Sequence, residues 1–287
     1  MSKKLNIFEM GPRDGLQNEK TLIPTANKIE LINRLSECGF EKIETSSFVS
    51  PKWVPQMADA AEVFAGISRK PGIRYTALTP NIKGYERAKA SGADEVAIFA
   101  SASEGFSQKN INCSIEESFE RFAPIVEAAK ADGIPVRGYV SCVVECPYDG
   151  PTPVENTAMV SERLLQMGCY EVSLGDTIGA ATPETTEAML DAVLKVVPVE
   201  QLAGHFHDTK DLALANIMSS IKMGLRTFDS AIGGLGGCPY APGAKGNVST
   251  LAVAKMAKLL DYDTGLDIEK LEQTQEFILS IKEAAAA

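Results

Sequence analysis

The chain has 287 residues, with 28 Lys and Arg against 38 Asp and Glu, a formal net charge of −10. Such an acidic surface excludes a nucleic-acid partner, because phosphate binding needs a basic face, and 45% hydrophobic with 23% charged residues excludes a disordered chain. No apolar run approaches the roughly 20 residues that cross a bilayer, so no membrane partner is expected. The six cysteines lack disulfide-framework spacing, which points to a reducing interior, either the cytoplasm or that of a processed organellar form.

In chain order, short β-rich apolar segments are expected at residues 5–11, 42–47, 74–80, 95–101, 136–144, 171–176, 202–208 and 227–233. Helical stretches separate them. In 26–38 the residues Ile29, Leu31, Ile32 and Leu35 form one apolar face, and in 115–131 Phe119, Phe122, Ile125 and Val126 do the same. Gly39, Gly92, Gly133, Gly168 and Gly224 each stop a helical run just before a strand, so the helix-to-strand connections are short. The strand-to-helix connections at 11–25, 46–57, 101–113, 142–153 and 233–248 are long and rich in Gly, Pro and polar residues. Eight repeated units with long loops on one end predict an α/β fold, a (β/α)8 TIM barrel with its site at that end. The turn after the first strand, GPRDGLQNEK, lacks the glycine spacing of an open dinucleotide-binding sheet. One domain is expected over 1–287, with 267–287 as a C-terminal helical extension.

Both histidines of the chain fall in GHFHDT at the end of the seventh strand. Residues two apart on a strand share a face, so His205 and His207 point into the barrel mouth together and suggest a metal; a hydrogen-bonded core pair is the alternative. Asp14, one strand beyond the intervening eighth, is the leading carboxylate to complete the site, and alternation turns Asp208 away into a structural role. Arg13 is placed to clamp a developing oxyanion or to form a salt bridge with Glu44 or Asp176, both at strand ends. The segment GGLGGCPYAPGAKGN reads as a glycine-rich lid with one thiol, Cys238, suited to proton transfer. Asn247 at its end offers a neutral oxygen ligand or a helix-start residue. Cys142 and Cys146 read as structural. Lys20, Lys52 and Lys109, with Asn110, lie on the long-loop side, where solvated surface lysines are the ordinary reading.

The ordered motifs EMGPRDGLQNEK, IETSSFVSPKWVPQM, NINCSIEES, RGYVSCVVECPYDG, EVSLGDTIG, GHFHDT and GGLGGCPYAPGAKGNV closely resemble the 3-hydroxy-3-methylglutaryl-CoA lyases, in one register from about Leu5 to Lys270. The resemblance implies divalent-metal-dependent retro-Claisen cleavage of 3-hydroxy-3-methylglutaryl-CoA to acetyl-CoA and acetoacetate. It implies Mg²⁺ or Mn²⁺ on Asp14, His205, His207 and Asn247, substrate contact and enolate stabilisation by Arg13, and a catalytic thiol at Cys238. Either Asp14 or His205 would act as base, Glu44 and Asp176 would support the site, and Lys20 and Asn110 would meet the CoA nucleotide. It also suggests a homodimer. A related acyl-CoA carbon–carbon lyase or aldolase, or a silent metal-binding barrel, are the alternatives. The sequence departs from the family after HDT, where Lys210, Asp211 and Leu212 replace a Gly-containing turn.

Overall fold

The computed structural model describes residues 3–237 and 246–286. Eight parallel strands close into a barrel: β1 (Asn6–Glu9), β2 (Lys42–Ser47), β3 (Arg74–Leu78), β4 (Glu95–Ser101), β5 (Val136–Ser141), β6 (Glu171–Asp176), β7 (Leu202–Phe206) and β8 (Thr227–Ser230). Closure pairs β8 with β1, so β1 and β7 flank β8 as the sequence implies. Strands β1, β3, β5, β7 and β8 end earlier than expected, and the residues beyond β1, β7 and β8 form the turns that carry the site.

The strands bury one face under a ring of helices, α1 (Thr25–Leu35), α2 (Ala60–Gly66), α3 (Ile82–Ala90), α4 (Glu104–Ile111), α5 (Ile115–Asp132), α6 (Val154–Met167), α7 (Pro183–Val193), α8 (Ala213–Lys222) and α9 (Thr250–Leu259). The apolar stripes of these helices and the outward-facing Val, Ile and Leu of the strands form the main core. Helix ends follow local chemistry. Ser114 and Glu117 close a reciprocal capping box on α5, and Gly133 ends that helix in the left-handed region. Helix α4 falls inside a segment read from sequence as loop, which corrects that reading. It starts on the Ser103 hydroxyl, which accepts from Phe106 N at 3.1 Å, and buries only Phe106 and Ser107, too narrow a stripe to show as periodicity. The expected C-terminal extension is helix α10 (Ile268–Ala286), which packs on α1 and α9 with Leu271 and Ile278 fully buried. It therefore covers its own barrel.

The barrel interior is different. Its apolar cluster is small, made of Phe8, Met10, Leu78, Ala97 and Tyr139, and the remaining space is charged. Arg137 on β5 is fully buried; its Nε donates to Glu171 at 2.8 Å, its Nη2 lies 2.8 Å from Asp229 Oδ1, and its plane stacks 4.6 Å from the Phe8 ring centroid. In a parallel sheet, paired positions share a face, and the pairing of Arg137 with Glu171 puts both inside. Removing one member of a buried ion pair leaves an uncompensated charge, which costs about 3–5 kcal/mol. Arg137→Met should accordingly lower the unfolding free energy by about that much in urea titrations. A loss under about 1 kcal/mol would mean that water reaches the two carboxylates.

Candidate active site

At the C-terminal end of β1, residues Gly11–Gly15 wind into one π-helical turn, closed by Gly15 N donating to Met10 O at 3.1 Å. Such turns are rare and set side chains at unusual angles. This one is held from below by Glu9, whose Oε1 accepts from Gly11 N and Ile232 N, both at 2.8 Å, while Oε2 accepts from the Thr250 hydroxyl at 2.7 Å. A Cβ at Gly11 would lie 2.6 Å from Glu9 Oε1, so glycine is what lets the amide reach the carboxylate. Glu9 thus ties the first strand-to-helix turn to the eighth.

The turn directs Arg13 and Asp14 into the mouth. Arg13 Nη1 donates to Asp14 Oδ1 at 2.6 Å, and its Nε is paired with Glu44 Oε2. Glu44 sits at an irregularity in β2 between Glu44 and Ser46, and its other oxygen accepts from the Tyr139 hydroxyl at 3.0 Å. Of the two salt bridges expected for Arg13, the one to Glu44 forms. Asp176 is engaged elsewhere, since its two oxygens accept from Ala180 N at 2.9 Å and Ala181 N at 3.0 Å and so brace the turn after β6.

His205 and His207 arrive from β7 and its extension with ring centroids 5.3 Å apart. Each Nε2 stands 3.9 Å from Asp14 Oδ2, and one ligand atom from each of the three residues lies within 4.8 Å of the others. Asn247 joins them through a short backbone ladder: it bridges His207, Asp208 N donates to Gly246 O at 2.9 Å, and Val248 N donates to Phe206 O at 3.0 Å. The Asn247 amide nitrogen donates to Asp14 Oδ2 at 2.7 Å and to Leu235 O at 3.0 Å, which fixes the amide and turns its oxygen free. That oxygen is buried with no hydrogen-bond partner among the described residues, as is His207 Nδ1. Buried acceptors are rarely left unpaired. One carboxylate, two imidazoles and an orphaned amide oxygen form a donor set that fits a divalent cation. Gly236 (φ 102°) seals the cradle, for a Cβ there would stand 2.7 Å from the Asn247 amide nitrogen.

Electrostatics prepare these groups. Burial alone would raise Asp14, but the Arg13 guanidinium and the imidazoles hold it well below the ordinary carboxylate range. Burial lowers His205, yet the hydrogen bond and charge of Asp229 prevail and set it above the usual imidazole value. Glu44 ends above its usual value, because burial outweighs its partner Arg13.

Lys20, Lys52, Lys109 and Asn110 are exposed, with Lys109 and Asn110 on α4. Lys210, part of the departure after HDT, donates from Nζ to Ala180 O at 3.3 Å, and Asp208 Oδ1 accepts from Ala213 N at 3.1 Å to start α8, the structural role expected of it. Cys238 lies outside the described residues; the preceding Gly237 carbonyl accepts from Asn18 Nδ2 at 3.0 Å.

The sequence matches the family model described as HMGL-like over residues 4–278. The chain belongs to the HMGL-like family. It is 55% identical over 281 residues to a Pseudomonas aeruginosa protein named 3-hydroxy-3-isohexenylglutaryl-CoA/hydroxy-methylglutaryl-CoA lyase, covering 98% of this chain and 94% of that one. The crystal structure of the HMG-CoA lyase from Brucella melitensis superposes with a TM-score of 0.97 at 58% identity, over 98% of this chain and all of that one. An HMG-CoA lyase from Acinetobacter baumannii, solved with coenzyme A and 3-methylmalate, matches with a TM-score of 0.93 at 38% identity, over 98% of this chain and 92% of that one.

Reading the sequence missed several polar residues on which this HMGL-like site rests: Glu9, Arg137, Tyr139, Ser173 and Asp229. Each is a polar side chain within an apolar strand, and that was the available signal. Burial pushes the Glu9 carboxyl from 4.5 up to about 7, prevailing over the hydrogen bonds it accepts. The folded state then keeps a proton that the unfolded chain releases. Stability from this source is complete below pH 4.5 and is lost as pH rises toward about 7. The change is on the order of 3 kcal/mol. Glu9→Gln should flatten that slope, checked by urea unfolding at the two ends of the window, and an unaltered slope would show that Glu9 is ionised throughout.

Proposed function

We propose that this chain is a hydroxymethylglutaryl-CoA lyase that cleaves 3-hydroxy-3-methylglutaryl-CoA to acetyl-CoA and acetoacetate. The observation that carries the reading is the convergence of Asp14, His205, His207 and the unpartnered Asn247 oxygen beside a buried arginine. Relatives at 55–58% identity include hydroxymethylglutaryl-CoA lyase in their names, one of them together with 3-hydroxy-3-isohexenylglutaryl-CoA lyase. These four residues would hold Mg²⁺ or Mn²⁺, since an oxygen-rich set with two imidazoles suits a hard or borderline dication. When bound, such an ion supplies Lewis acidity toward a hydroxyl or carbonyl oxygen.

The chain's own groups account for the rest. The tertiary hydroxyl loses its proton to an acceptor in the cluster, Asp14 or His205. Its electron pair forms the new ketone as the neighbouring carbon–carbon bond breaks, and the electrons of that bond pass into the thioester as an enolate. Arg13, fixed by Glu44 and Asp14, places a permanent positive charge against that oxygen. Cys238 follows Gly237 in the glycine-rich segment and would return a proton to carbon. We assign Asp176 and Glu44 to support of this machinery, and Lys20 and Asn110 to the nucleotide end of the acyl-CoA, which is the ligand class that the Acinetobacter lyase was solved with.

We further propose that residues 1–287 form one domain, that the assembly is a homodimer, and that the protein works in a reducing compartment such as the cytoplasm. The five described cysteines, all buried and free of disulfides, support the last point. No helix among the described residues is long and apolar enough to cross a membrane.

Purified protein given 3-hydroxy-3-methylglutaryl-CoA and Mg²⁺ should release acetoacetate, and a chelator should abolish it. Cys238→Ser should reduce turnover by roughly 10²-fold or more while Mn²⁺ binding persists. His207→Ala should lose Mn²⁺ affinity first. Cation binding without product from either this substrate or its isohexenyl analogue would instead mark a silent barrel.

A further inference from the structure

Beneath the mouth, the polar groups form a ring. From Asp14 it runs through Arg13 to Glu44, from Glu44 to the Tyr139 hydroxyl at 3.0 Å, from Tyr139 to Arg137 Nη1 at 3.2 Å, and from Arg137 to Asp229. Asp229 Oδ2 then meets His205 Nδ1 at 3.2 Å, and His205 Nε2 faces Asp14 again. His205 and Asp229 are register partners on β7 and β8, so both side chains point inward at the same level. Asp229 is buried, and its Oδ2 also accepts from Arg137 Nη1 at 3.0 Å and from the Ser173 hydroxyl at 2.7 Å.

We propose that Asp229 is a positioning residue that fixes His205 in its Nδ1–H tautomer and so presents the Nε2 lone pair to the site, with Arg137 holding Asp229 as the acceptor. The argument is one of hydrogen-bond inventory. A carboxylate oxygen that already accepts from Arg137 Nη1 and from a serine hydroxyl offers only lone pairs, so the imidazole nitrogen facing it must carry the hydrogen. The other nitrogen is then a free acceptor, and the ring plane is set by the same bond. Carboxylates behind a ligating histidine characteristically act in this way. His207 has no such partner, because its Nδ1 is unpaired among the described residues. The two imidazoles therefore differ: His205 is held by a carboxylate at Nδ1, whereas His207 faces Asp14 through Nε2 alone. This inference rests on the proposed cation site, and the experiment separates the two.

The chain has only two histidines, so a ¹⁵N-imidazole spectrum contains two rings, and His207→Ala leaves one for assignment. In metal-free wild-type protein at alkaline pH, His205 is expected as Nδ1–H with an unprotonated Nε2. Finding the Nε2–H form, or a mixture of both tautomers, overturns the proposal without any variant having to fold. In Asp229→Asn the amide can donate as well as accept, so the His205 tautomer should become mixed. Mn²⁺ affinity, followed by electron paramagnetic resonance, should then fall about 10- to 100-fold. Affinity within about twofold of wild type, with His205 still purely Nδ1–H, also overturns it. If Asp229→Asn does not fold, Ser173→Ala removes one of the donors to Oδ2 and should leave the tautomer unchanged; a tautomer shift there would show that the serine, not the carboxylate, sets the ring. Wild-type protein that binds no Mn²⁺ while His205 is cleanly Nδ1–H would sink the cation site and leave the Asp229 contact standing as a structural one.

Discussion

A guanidinium buried between two carboxylates is the constraint on which the rest of this structure depends. Arg13 is 6% exposed, and burying its permanent charge there would be strongly destabilising without Glu44 and Asp14. The pairing has a cost for metal binding. Asp14 is the only carboxylate of the donor set, and both its oxygens already accept strong hydrogen bonds, from Arg13 and from Asn247. One guanidinium against the carboxylates of Asp14 and Glu44 leaves a single negative charge facing the cation position. Affinity for hard dications follows the charge count of the ligands. The arrangement fits the proposed cation as a weakly held, exchangeable ion, with the Arg13 charge fixed beside it.

The charged barrel interior follows from the same need. An arginine at the mouth must have its carboxylate Glu44, and Glu44 must have Tyr139 to satisfy its second oxygen. Tyr139 leads to Arg137, and Arg137 requires Asp229 and Glu171. Each buried polar group calls for the next, because a network left partly unsatisfied is worse than an apolar core. An ordinary barrel of this type packs branched apolar side chains in layers. Here a layer is given over to hydrogen-bonded ions, and the dispersion energy sits mainly outside, between strands and helices.

How much of this was visible in the sequence depends on the range of the interaction. The strands, their closure into a barrel and the pairing of His205 with His207 are consequences of periods two and 3.6, which are local and therefore legible. Asp14 was legible because eight units fix which strands become neighbours. Glu9 and Asp229 were not, although they lie in the predicted strands. A charged residue in an apolar strand announces burial, but which group neutralises it is decided by register across strands far apart in sequence, such as Arg137 opposite Asp229. Helix α4 failed for the opposite reason, since its signal is local but weak. Asp176 shows a third case: its position at a strand end is legible, but that both oxygens accept from backbone amides of its own loop is not.

The eighth turn connects these themes to the glycine-rich segment. Gly246 and Gly236 meet back to back, so closely that a Cβ on Gly246 would stand 1.9 Å from the Gly236 carbonyl oxygen. On one side of this neck Asn247 carries the orphaned oxygen, and on the other Gly15 packs its Cα where a Cβ would come 2.8 Å from Leu235. Glu9 holds the base of both turns through Gly11 and Ile232. The geometry of the cation position and the point from which the chain departs toward Cys238 are therefore set by one knot of backbone. No side chain could enter that knot without moving a proposed ligand. This is why glycines crowd a place where conformational freedom is otherwise a cost to stability.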